Sequence, residues 1–303
     1  MKVTEFSEKT KVDHVSPPWE KYLGENDFIS YLPSYQGGGM LDSFEEFHAP
    51  ADDVGAITCY LYDPVKNSSL SREKSAPLLV FLHGATNALD GKKCVSHSGA
   101  EMFATPEYQQ RMGGAAFVLV PLANERKDEN GMLCDSWSEK YFPHLRAIIE
   151  RVKREHDISK VIVAGGSSGG FMTWGMAVNY PGLFDGCIPV SSDFMPTITQ
   201  LKTLEQHGMR VLYACGKHDE FGCYKEENAA VYSYIAGMNG GICYTPEWTR
   251  NGDHGVASLF FGIEMGQHCM ITQVQADLMF DDGTPYCEQL PNGITGWIRD
   301  VCS

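Results

Sequence analysis

An α/β architecture, with a mostly parallel sheet and helices on both faces, follows from two features of the 303-residue chain. Strand-like and helix-like segments alternate along most of its length, the pattern of strands joined by crossover helices. Within that alternation, the run Val161–Gly170 carries a short apolar strand straight into a glycine-flanked serine and then into a helical pattern. A hydrophobic content of 43% is enough for one large core. With no internal repeat or low-complexity tract, residues 1–303 are expected to form a single domain.

The first 75 residues hold strand candidates at Phe28–Tyr35 and Ala56–Tyr62 around the turn-rich Gly37–Gly39, and are expected to supply an antiparallel edge. Asn67–Ser75 reads as an exposed polar loop. Ala76–Leu82 is nearly all apolar, as a strand covered on both faces must be. The alternation continues through Ala115–Pro121 (strand), Tyr141–Glu155 (helix), Val161–Ala164 (strand), Phe171–Asn179 (helix) and Gly186–Val190 (strand). Met209–Gly216 reads as a further buried strand, Lys225–Gly237 as a helix and Gly241–Trp248 as strand-like. Phe260–Met270 is apolar and looks helical.

The serine motif has a chemical reading. A hydroxyl held on a strained turn between strand and helix leaves no room for side chains two positions to either side, so glycines flank it. The helix that follows points backbone N–H groups at any oxyanion that forms. Two frames satisfy the glycine rule: Gly165–Gly169 centred on Ser167, and Gly166–Gly170 centred on Ser168. The longer stretch Gly165–Thr173 resembles the G-x-S-x-G-G-x-M-T pattern of polyhydroxybutyrate-depolymerase-like and feruloyl-esterase-like α/β-hydrolases. That resemblance aligns Ser167 with the nucleophile and implies an α/β-hydrolase fold.

It also implies a triad in the order serine, acid, histidine, each on a loop leaving the sheet. Asp219, in the loop Lys217–Glu220 after the strand at Met209–Gly216, is the expected acid, with Glu220 and Asp193 as alternatives. Of the histidines well downstream, His254 lies in the glycine-containing turn Asn251–Gly255 and is the expected base. His268, inside the helix-like apolar segment, reads as a packed or surface histidine. The sequence His83-Gly84-Ala85 after the strand at Ala76–Leu82 sits where this fold places its second oxyanion donor. The backbone N–H groups of Ala85 and Ser168 are therefore the expected oxyanion hole.

Composition narrows the function further. A net charge of −15 leaves few basic clusters for neutralising phosphates, which argues against nucleic acid. No apolar run approaches the roughly 18 residues of a membrane span. The polar, charged start at Met1–Lys11 shows no secretory signal, so a cytoplasmic protein is expected. Ten cysteines with no C-x-x-C pair, and no H-E-x-x-H, predict reduced thiols and no metal or organic cofactor, with Cys269, Cys287 and Cys302 the best placed for any bridge.

The expected activity is hydrolysis of small soluble carboxylic esters, since the stretch from Ser191 to Met209 leaves little room for a lipase lid. Ser168, where many members of the resembled families have alanine or another residue, and the missing secretory signal turn the expectation away from polymer substrates. A serine peptidase of short peptides, similar to prolyl-oligopeptidase catalytic domains, is the alternative, with Glu125 available to hold an N-terminal amine. A binding protein without turnover is a third class. Trp137, Phe194 and Phe221 are candidates for stacking on a substrate.

Overall fold

The computed structural model describes residues 39–67, 75–247, 250–251, 255–256, 267–268, 270, 277–279 and 283–303. Its centre is an eight-stranded sheet. In chain order the strands are β1 (Phe44–Ala49), β2 (Ile57–Tyr62), β3 (Ala76–Leu82), β4 (Phe117–Pro121), β5 (Ile158–Gly166), β6 (Gly186–Val190), β7 (Arg210–Ala214) and β8 (Ile242–Tyr244). They lie in the order β1-β2-β4-β3-β5-β6-β7-β8. β2 runs antiparallel to both of its neighbours, and from β4 onward every pairing is parallel.

The parallel strands bury both faces, and their sequences show why. Along β3, Leu78, Val80 and Leu82 enter one core while Leu79 and Phe81 enter the other, as the two-residue period of a strand requires. β5 divides Val161 and Val163 from Ile162 and Ala164 in the same way. One face is covered by helices α1 (Phe142–Glu155), α2 (Ser168–Asn179), α3 (Ile198–Gln206) and α4 (Ala229–Gly237). The other is covered by the segment Cys94–Met112 and by α5 (Gly293–Cys302). In α1 the buried residues Phe142, Leu145, Ile149 and Val152 recur at three- and four-residue steps, which places one apolar stripe on the sheet. Pro143 stands in its first turn, where the missing N–H costs no hydrogen bond.

Among the described residues the antiparallel edge includes a strand that the sequence pattern did not mark. Phe28–Tyr35 lies outside the described residues, and the outer partner of β2 is Phe44–Ala49, a segment whose Glu45, Glu46 and His48 mask its apolar alternation. Between Ser191 and Met209 the chain forms only the nine-residue α3, capped by Thr197 and Gln200 in a reciprocal capping box. Nine cysteines, all except Cys269, are described, and each is a free thiol. No helix among the described residues is long and apolar enough to cross a membrane.

Candidate active site

In a parallel sheet all strands end at the same edge, so loops distant in sequence converge there. The C-terminal ends of β3, β5, β6 and β7 deliver His83–Ala85, Ser167, Asp193 and Asp219 to that edge. Ser167 is the residue between β5 and α2, with φ 58° and ψ −124°. A non-glycine residue in this region carries strain of about 1–3 kcal/mol, held by the packing around it. The two flanking glycines are what permit it. A Cβ on Gly165 would stand 2.5 Å from the carbonyl oxygens of Leu82 and Gly169, and one on Gly169 would collide with Leu82 and His83. The steric demand therefore matches the frame centred on Ser167, and Ser168 is instead the first residue of α2.

Ser167 Oγ is 2.9 Å from Nε2 of His268, and the other ring nitrogen, Nδ1, is 2.8 Å from Oδ2 of Asp219. The imidazole that meets Ser167 is thus that of His268, which corrects the expectation of His254; His254 lies outside the described residues. Gln267 and His268 form a turn rather than part of a helix. Both backbone N–H groups of that turn donate to the Glu220 carboxylate, at 2.8 and 2.6 Å. Adjacent acids divide the work: Asp219 binds the ring, and Glu220 holds the backbone that carries it. Asp193 makes no hydrogen bond to the ring and is not the acid of this arrangement.

The electrostatics favour a carboxylate at Asp219. Burial opposes its charge, but the neighbouring His268 and N–H donation from Phe221 and Cys223 to Oδ1 outweigh it and hold the group below its ordinary value. The Cys215 thiol adds a weak donor to Oδ2 at 3.9 Å. Burial likewise disfavours an imidazolium at His268, yet the charge and hydrogen bond of Asp219 prevail and raise it above the ordinary 6.5. Asp219, Cys223 and His268 also present potential metal-ligand atoms within 4.8 Å of one another. Two of those atoms already share the Asp219–His268 hydrogen bond, which a metal ion would have to break.

The loop after β3 lies against the nucleophile, since a Cβ on Gly84 would be 3.8 Å from that of Ser167. Three groups brace this loop. His83 is fully buried and accepts the Ala123 N–H at Nε2, which leaves Nδ1 to donate to the Gly84 carbonyl; burial lowers its pKa to about 4, so the ring is neutral. Trp137 donates its indole N–H to the His83 carbonyl at 3.0 Å and packs against the His83 ring at a 33° tilt. Glu125 accepts from the backbone of Ala88 and Thr86 and from the Ser136 hydroxyl.

These bonds correct two expectations. Trp137 is buried beneath the loop and Glu125 is engaged with it, so neither lines the cavity in front of Ser167. Glu125→Ala should lower kcat by about ten- to a hundredfold, because the loop that carries the expected oxyanion donor Ala85 loses its anchor and such a donor is worth roughly 10²–10³. A rise in KM at constant kcat would instead assign Glu125 to substrate contact.

The cavity measures about 440 Å³ and is lined by Ser167, Ser168, Phe171, Asp193, Phe221 and His268 among others. Phe221 packs on the His268 ring at 4.5 Å. Phe194 is one ring removed, edge-on to Phe171 at 6.1 Å, and lines a neighbouring cavity of about 220 Å³.

Strand order, the strained serine turn and the convergent loops describe one known architecture. The chain has the α/β-hydrolase fold. No protein-family model matches it. A thermostable esterase of known structure superposes with a TM-score of 0.51 at 23% identity, covering 68% of this chain and 55% of that one. A structure named FAE gives 0.50 at 13% identity, covering 87% and 95%. In sequence, the chain is 27% identical over 127 residues to poly(3-hydroxyalkanoate) depolymerase C of Paucimonas lemoignei. That match spans 39% of this chain and 28% of the depolymerase.

Proposed function

We propose that this α/β-hydrolase cleaves carboxylic esters of small substrates through an acyl-enzyme on Ser167. The observation that carries the reading is the continuous relay from Ser167 Oγ through both nitrogens of His268 to a buried Asp219, at a strained turn opening into a cavity. Neutral His268 takes the proton from Ser167 as Oγ attacks the ester carbonyl, and Asp219 stabilises the imidazolium that forms. The N–H of Ser168 has no acceptor within its own helix and, with that of Ala85, receives the oxyanion. His268 then protonates the leaving alcohol, and water repeats the cycle on the acyl group. The names of the esterases and the depolymerase that the chain resembles support ester chemistry over other uses of the fold.

Short-chain p-nitrophenyl esters should be cleaved far faster than aminoacyl-p-nitroanilides; turnover confined to the anilides would make the protein a peptidase. The pH profile follows from His268. Its pKa lies above 6.5, so kcat/KM should fall with acid through a midpoint higher than that of an ordinary histidine. The sign is set by the base having to be neutral. A profile flat from about pH 5 to 8 would remove His268 from that role.

A further inference from the structure

We propose that Asp193, with the rings of Phe171 and Phe221, forms a subsite for an ammonium group on the substrate, so that the enzyme favours cationic esters over neutral ones. The proposal rests on Ser167 being the nucleophile, because the subsite lies in the same cavity.

The geometry begins in the backbone. Ser191, directly after β6, has φ 45°, and its N–H is tied to the Ala214 carbonyl at the end of β7. The next residue, Ser192, closes a tight turn by bonding its hydroxyl to the Phe194 N–H and carbonyl. Asp193 stands at the tip of that turn, exposed, on the wall of the cavity that contains Ser167 and His268. Among the described residues no lysine or arginine lines the cavity, and Asp193 makes neither a side-chain hydrogen bond nor an ion pair. The other carboxylates near the site are engaged: Asp219 with His268, Glu220 with the Gln267–His268 turn, and Glu125 with the loop after β3.

Among the described residues Asp193 is thus the acid of the cavity wall with no hydrogen-bonded or ion-paired partner, and its charge, which also acts on the His268 ring, faces the space a ligand would fill. An aromatic face attracts a cation through its quadrupole, and a carboxylate beside it adds direct attraction. Phe171 and Phe221 line the same cavity as Asp193. The wall therefore offers the two chemistries that recognise an alkylammonium group. An amine-holding carboxylate exists in this protein, but at Asp193 rather than at Glu125. The formal charge of −15 adds a long-range field of the same sign.

The test compares two isosteric ester pairs at low ionic strength: choline against 3,3-dimethylbutyl esters for the alcohol side, and aryl esters ending in ammonium against methyl for the acyl side. In at least one pair the cation should raise kcat/KM by about tenfold, equivalent to roughly 1.4 kcal/mol. That advantage should shrink with salt and drop below about twofold in Asp193→Asn, while Asp193→Lys should favour the matching anionic ester. Equal rates for both pairs in the wild type would overturn the proposal. So would an advantage that survives Asp193→Asn, which would assign it to the acidic surface as a whole. Labelling of Ser167 by a neutral fluorophosphonate separates the two levels: labelling without charge preference removes this subsite alone, whereas neither labelling nor ester turnover removes the hydrolase reading and the subsite with it.

Discussion

Ser167→Ala and His268→Ala should each lower kcat by about 10⁵- to 10⁶-fold, and the double variant should be little worse than either, because nucleophile and base act as a unit. Among the described residues the ring nitrogen at 2.9 Å is the only base in hydrogen-bond contact with Ser167 Oγ. What survives should be the contribution of the oxyanion donors and of binding, on the order of 10³- to 10⁴-fold over water. Two controls make the assignment specific. Ser168→Ala keeps its backbone N–H and should cost less than about tenfold, since its hydroxyl is buried with no partner among the described residues. His254→Ala should leave the enzyme active; an inactive His254→Ala beside an active His268→Ala would reverse the base.

Asp219→Asn should cost about 10⁴-fold in kcat with little change in KM. The carboxylate accepts the Nδ1 proton of His268, which presents the bare Nε2 to Ser167, and it supplies the charge that holds the imidazolium in the transition state. An amide keeps the shape and removes both effects, because its NH₂ group favours the wrong tautomer. Folding should survive the change, since an amide oxygen can still accept from Phe221 and Cys223 at Oδ1. Glu220→Gln is the companion measurement. Glu220 accepts from the backbone of the His268 turn, whereas Asp219 binds the ring itself, so the Glu220 amide should cost far less. Equal losses in the two variants would mean that the acid has been misassigned between these neighbours.

The serine turn was legible because its constraint is local. A positive-φ serine between a strand and a helix imposes glycines two residues to either side, and that signature is written contiguously in Gly165–Gly169. Asp219 was legible for a related reason: it leaves the end of a continuous apolar strand, and the edge of a parallel sheet is where such loops meet. Phe44–Ala49 was not, because an edge strand with one wet face dilutes its apolar alternation with charge.

His268 escaped for the opposite reason. Its neighbours Gly266, Gln267, Cys269 and Met270 describe burial, and a buried histidine in an apolar run reads as packing whether or not a serine waits across the cavity. His254, between glycines, has the local look of a mobile catalytic loop, but local flexibility says nothing about distance to Ser167. Glu125 and Trp137 show the same limit: residue type marked them for chemistry, and their partners on the loop after β3 turned them into its supports. The sequence by itself determined the α/β layering and the strained turn at Ser167, since each is set by periodicity or steric demand within a few residues. Only the tertiary structure decided which histidine meets Ser167, because that depends on a hydrogen bond between groups 101 positions apart in the chain.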